Sequence, residues 1–241
     1  MKIILRIIIS VFIGFFVLAV SGSVSIGITE RLDESYSWLT APILHTAMLI
    51  MSIVLIFLLS KRAISSYGLR LAESRYLKQS IINGSTAAII IGICSVIFSE
   101  LFPDINTGPA DEFSFIQIII FVWIYASICE EFLSRGLVQS FLSPLVRYRI
   151  RIFNFHISLP ILVGALFFGL KHFGLLTTGA DLLFVCFIVF FGIIVGIMAG
   201  YYREISGSII PAIIIHMLFN IWGTILGLIG EVIILCTSPV G

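Results

Sequence analysis

Residues 181–201 read DLLFVCFIVFFGIIVGIMAGY, and after Asp181 the run contains no charged residue. A helix rising 1.5 Å per residue needs about 20 apolar residues to cross the hydrocarbon core of a bilayer. This stretch has that length. Its apolar residues are continuous rather than alternating, which speaks against a barrel strand, and only helices or closed barrels satisfy their own backbone in lipid. The segment is therefore read as a transmembrane helix.

Working outward, similar windows lie at 7–27, 41–60, 84–102, 114–142, 157–176 and 207–235. The expected fold is all-α, a polytopic transmembrane helical bundle of seven to eight spans. The uncertainty in number comes from the last window, which is long and carries Gly223, Gly227 and Gly230. It forms either one span or a span followed by a short eighth segment over 223–238. Composition agrees with a lipid-facing surface. Of 241 residues 59% are hydrophobic and 11% charged, against about 25% charged in soluble domains. The net charge is +1 and there is no basic tail or Lys/Arg-rich stretch of the nucleic-acid-binding kind, so nucleic acid is not an expected partner. Cys94, Cys129, Cys186 and Cys236 lie in apolar runs without CxxC spacing, which points to buried free thiols rather than a zinc site or a disulfide framework. The first twenty residues have the pattern of a signal peptide or signal anchor and are read as a retained helix.

The charges between windows orient the chain. Lys2 and Arg6 precede the first window, and Lys61, Arg62, Arg70, Arg75 and Lys78 follow the second. Arg147, Arg149 and Arg151 follow the fourth, and Arg203 follows the sixth. The alternate loops hold Glu30, Arg31, Asp33 and Glu34, then Asp104, Asp111 and Glu112. Positive charge accumulates on the cytoplasmic side, so the expected topology is a multi-pass cell-membrane protein with a cytoplasmic N-terminus. Residues 61–83 are basic and amphipathic and are read as an interfacial helix on that side; an ordinary basic loop is the simpler alternative. The chain then divides into 1–83, two N-terminal helices plus this segment, and 84–241, a helical core.

Ionisable groups within spans are costly and mark function. Three clusters qualify. In ICEEFLSRG, residues 128–136, Glu131 and Arg135 are i,i+4 neighbours that can pair. Glu130 is turned about 100° from Glu131 and is expected to lack that partner, leaving a carboxylate free to accept a proton. In FGLKHF, residues 168–173, Phe168 and His172 share a face; Lys171 has no firm reading, snorkelling to the interface being one option. In IIIHMLFN, residues 213–220, His216 and Asn220 share a face. Taken together, the clusters supply a general base, a second proton-handling group and donors for an oxyanion, without a serine or cysteine nucleophile. His45 and His156 fall outside them and receive no role.

The three clusters, in this order on successive spans, resemble the CAAX protease and bacteriocin-processing family of intramembrane glutamic proteases. The family pattern EExxxR, FxxxH, HxxxN/D is matched by Glu130-Glu131-x-x-x-Arg135, Phe168-x-x-x-His172 and His216-x-x-x-Asn220. The resemblance covers about residues 90–222 and implies a peptide hydrolase. Glu130 and His172 would activate water, Glu131 and Arg135 would hold the site, His216 and Asn220 would stabilise the oxyanion, and Phe168 would contact substrate. Expected partners are the bilayer and a peptide or membrane-anchored protein substrate, in CAAX-type processing, bacteriocin or signal-peptide maturation, or immunity. No cofactor is expected. A Glu/His zinc set is the weaker possibility, since no HExxH is present. A proton-coupled transporter or a non-catalytic scaffold are the competing classes. His172 and Glu130 fall at one depth only if the fourth helix is long and continues to about Leu142. The site is then expected to be a polar cavity reached from the cytoplasm.

Overall fold

The computed structural model describes residues 2–61, 63–108, 113–152 and 155–237. Arg62, Asp111 and Glu112, used above for orientation, and the side chain of Cys236 lie outside what it describes. Helix α1 spans Ile3–Thr29. A 3-10 turn, Glu34–Leu39, leads into α2, Thr40–Leu59. Helix α3 is Ser74–Leu101 and α4 is Phe115–Gln139. A two-stranded antiparallel hairpin, β1 Arg149–Ile152 and β2 Phe155–Ser158, precedes α5, Leu159–Leu170, which continues in 3-10 form as Lys171–Thr178. Helices α6, Leu182–Ser206, and α7, Ile210–Thr237, complete the chain. Among the described residues seven helices are long and apolar enough to cross a membrane. The fold is an all-α, multi-pass membrane bundle.

One expectation is corrected and one alternative is decided. Residues 74–83 are not part of an interfacial helix; they form the first turns of α3, and the loop before them contains a short 3-10 turn, Ile64–Tyr67. A helix of 28 residues is about 42 Å long, longer than the ~30 Å hydrocarbon core, so its polar first turns project beyond it. The basic, amphipathic character of this stretch reflects that projection. In addition, α7 runs unbroken through Gly223, Gly227 and Gly230, so no separate eighth segment forms among the described residues. A helical glycine costs roughly 1 kcal/mol, less than the several kcal/mol for each backbone group left unpaired in lipid.

Loop contacts sort the bundle into two ends. At one end Arg6 Nε donates to Phe141 O at 2.8 Å, Arg70 Nε to Gly207 O at 3.0 Å, and Ser208 Oγ to Arg70 O at 2.6 Å. This end carries the basic loops. At the other, Asn106 N–H donates to Asp181 Oδ2 at 2.8 Å, and Trp38 packs on Phe113 with ring centroids 6.5 Å apart. Consecutive loops thus alternate ends, as seven spans require.

Polarity is inverted relative to a soluble helix. Helix α1 buries Ser10, Gly14, Ser21 and Ser25 and turns Ile4, Ile8 and Phe12 outward. With lipid outside, burying apolar side chains brings no gain, and close packing of small residues takes its place. The α5–α6 contact is the clearest case. A Cβ on Gly196 would lie 2.8 Å from Ala165 Cα, one on Gly192 3.2 Å from Gly169 Cα, and one on Gly200 3.3 Å from Ile161 Cγ2. Positions 192, 196 and 200 step four residues along α6, matching 169, 165 and 161 on α5. This seam brings α5, with Phe168 and His172, against the bundle.

Helix α4 runs through the centre, touching α1, α2, α5, α6 and α7. It is α-helical at Ser127–Glu131 but π-helical on both sides, over Ile118–Ala126 and Phe132–Gln139. Such wider turns are rare and concentrate at functional sites. The expected long fourth helix is present, with Glu130 near its middle.

Candidate active site

The two glutamates of α4 point to different environments. Glu131 is fully buried and pairs with Arg135, whose Nε lies 3.2 Å from Glu131 Oε2; neither side chain is exposed. His216 of α7 places Nδ1 3.2 Å from Glu131 Oε1 and Nε2 3.8 Å from Glu130 Oε2, so one imidazole spans both carboxylates. Arg135 also donates to the Gly164 and Gly196 carbonyls of α5 and α6, at 3.5 and 3.3 Å. Charge-assisted bonds of this kind let an ion pair survive in a low-dielectric interior.

Glu130 does not pair with Arg135, as its angular position predicts, but the expectation that it lacks a partner is wrong. Its Oε2 forms an ion pair with Lys171, and its Oε1 lies 3.4 Å from His45 Nε2. Lys171 does not snorkel outward either; its side chain is 6% exposed and its ammonium sits 4.3 Å above the Phe168 ring. The change from α to 3-10 winding at Lys171 redirects side chains there, a shift that residue spacing does not reveal.

His172 Nδ1 lies 3.2 Å from Gly169 O. A carbonyl only accepts, so Nδ1 carries the hydrogen and Nε2 is the acceptor in the neutral ring. Asn220 Nδ2 donates to Val122 O and Ser127 Oγ, both at 3.0 Å, which fixes the amide against α4. Phe168 is 3% exposed. It meets His172 and His216 edge to face, with centroids 5.5 and 5.2 Å apart, and the Arg135 guanidinium lies 4.8 Å over its ring.

Glu130, His172, His216 and Asn220 line one cavity of about 260 Å³, together with His45, Ala41, Pro42, Phe113, Phe121, Val122 and Ala126. Ala41, Pro42 and Phe113 belong to the end of the bundle that carries the acidic loops. The cavity therefore extends toward that end, opposite the basic loops. Between the cavity and the basic end lie buried polar side chains. Glu131, Ser134 and Arg135 are 0% exposed, and Gln139, Ser140 and Arg203 at most 9%. Gln139 donates to Gly200 O at 2.9 Å and Arg203 to Ser140 Oγ at 2.9 Å.

Sequence reasoning missed His45. It is the only ionisable residue in the 41–60 window, so the test applied to the other spans would have found it. Among the described residues no group of three or more His, Cys, Asp or Glu is placed to hold a metal ion.

The class defined by this architecture is a multi-pass membrane protein with an ionisable glutamate–histidine cluster around a cavity within the bundle. Residues 112–222 match the family described as type II CAAX prenyl endopeptidase Rce1-like, and this segment is a domain of that peptidase family. It contains Glu130, Glu131, Arg135, Phe168, His172, His216 and Asn220. Family membership implies an intramembrane protease, with which the buried Glu130/Glu131–His216 cluster is consistent. Comparison with curated proteins gives no match.

Proposed function

We infer that the protein hydrolyses a peptide bond with a water activated between Glu130 and His172. The observation that carries this reading is that groups from α4, α5 and α7 line a single cavity. Glu130 is the base that takes a proton from the water, and His172, with Nε2 as acceptor, orients it. Glu131 and Arg135 hold His216, whose Nε2 faces the cavity and, when protonated, donates to the oxyanion; Asn220 is the second donor once its amide turns from α4. Phe168 is packed between both imidazoles and two cations, which suits it to orienting them more than to touching substrate. Residues 84–241 form the protease-like core, and 1–83 contribute α1 and α2 around it. The substrate is a peptide or the tail of a membrane-associated protein. With a cytoplasmic N-terminus, the direction of the cavity favours segments presented at the opposite face.

The test is cleavage of a peptide library by purified protein. Glu130→Gln, His172→Ala and His216→Ala are expected to lower cleavage by roughly 10²–10⁴-fold each, with monodispersity and thermal unfolding midpoint retained. Variants that cleave as the wild type does would overturn the reading. A proton-coupled carrier needs a site reachable from both faces, and the hydrogen-bonded residues on the basic side argue against it.

A further inference from the structure

His45 lies on α2, outside the segment that matches the peptidase family, yet it reaches the same carboxylate. Its Nδ1 is 2.8 Å from the carbonyl oxygen of Ala41, one turn earlier. That oxygen accepts only, so Nδ1 carries a hydrogen. Nε2 then faces Glu130 Oε1 at 3.4 Å. Were the imidazole neutral and the carboxylate ionised, two lone pairs would oppose each other in a confined space. The contact is favourable only when the pair holds one proton, either on Nε2 or on Oε1. Both side chains remain open to the cavity, His45 at 16% and Glu130 at 18%. Among the described residues the other ion-pair contacts of Glu130 are with Lys171, in the 3-10 continuation of α5, and His216 of α7, both on its second oxygen, while His172 and Arg135 act on it from further away. Among these contacts only that of His45 is with Oε1.

We propose that His45 is the general acid of the reaction, protonating the nitrogen of the departing amine. This rests on Glu130 acting as the base. The proton balance closes over one turnover. At rest the pair holds one proton, on Nε2. Water adds its oxygen to the carbonyl carbon while Glu130 takes a water proton, so the pair now holds two. The tetrahedral adduct collapses, the C–N bond breaks, and Nε2–H passes its proton to the leaving nitrogen. The proton on Glu130 Oε1 then crosses to Nε2, restoring the resting pair. The products are a carboxylic acid and a neutral amine, the sum of the peptide and water. A second carrier hydrogen-bonded to Glu130 divides the two proton transfers between two groups, one taking the water proton and one giving a proton to the nitrogen.

The role has a signature that a structural one lacks, namely dependence on the leaving group. An amine must be protonated to depart, whereas an aryl oxide leaves without help. Wild type, His45→Gln and His45→Asn are assayed on an internally quenched apolar peptide and on the p-nitrophenyl ester of the same acyl sequence. The ratio of the two rates is read within each monodisperse preparation, so inactive protein cancels. The expected result is a fall of about 100-fold in the peptide rate, with the ester rate held within about threefold. Equal loss on both substrates, or no loss on either, overturns the assignment while leaving Glu130 as base. If wild type cleaves neither substrate and Glu130→Gln is indistinguishable from it, the hydrolytic reading itself fails.

Discussion

Among the described residues Arg135 is the largest fully buried side chain, and its charge is held by Glu131 and two backbone carbonyls. Removing one partner of a buried pair leaves an uncompensated charge, at a cost of about 3–5 kcal/mol. Arg135→Leu is therefore expected to lower the thermal midpoint in detergent sharply. The double change Glu131→Leu with Arg135→Met removes both charges and is expected to recover most of that loss. It is expected to stay inactive, because His216 loses the carboxylate that fixes its Nδ1. A double variant no more stable than Arg135→Leu would show that the ion pair is not what the helix requires.

At the scale of elements, the α5–α6 seam gives the sharpest expectation. Gly196→Ala places a methyl 2.8 Å from the Ala165 backbone, which no rotamer change relieves. A loss of about 1–3 kcal/mol is expected, together with reduced cleavage as His172 is displaced. Gly22→Ala, with nothing within 4 Å of the new methyl, is the control and is expected to be neutral or slightly stabilising. Comparing unfolding midpoints checks both. Long apolar windows made the spans legible, since continuous hydropathy needs no knowledge of neighbours. The pairing of Gly196 with Ala165 was not legible, because small residues announce a close approach without naming the partner. Nor was the π winding of α4, which no residue type marks. The paired glutamates, His172, His216 and Asn220 stood out because ionisable and amide groups are rare in spans. The contact of Lys171 with Glu130 depended on a local change of helix type, and that of His45 on the approach of α2.

For the whole molecule, the two ends differ in charge and in access. Positive loops gather at one end, which the charge rule predicts to be cytoplasmic, while Ala41 and Phe113 line the cavity toward the other. In a Cys186→Ser background, Ala41→Cys is expected to react with an impermeant maleimide in intact cells. Ser66→Cys, exposed beside the basic loops, is expected to react only in inverted vesicles. The reverse pattern would place the acidic loops in the cytoplasm.

The column of Arg135, Gln139, Ser140 and Arg203 has a consequence for the cell as well as for the enzyme. A hydrophilic chamber sunk in a bilayer invites leakage, since a thread of water conducts protons. Here side chains tethered to carbonyls stand between the cavity and the basic end, where guanidinium charge opposes an approaching hydronium. Reconstituted vesicles should accordingly retain an imposed pH difference as long as protein-free ones.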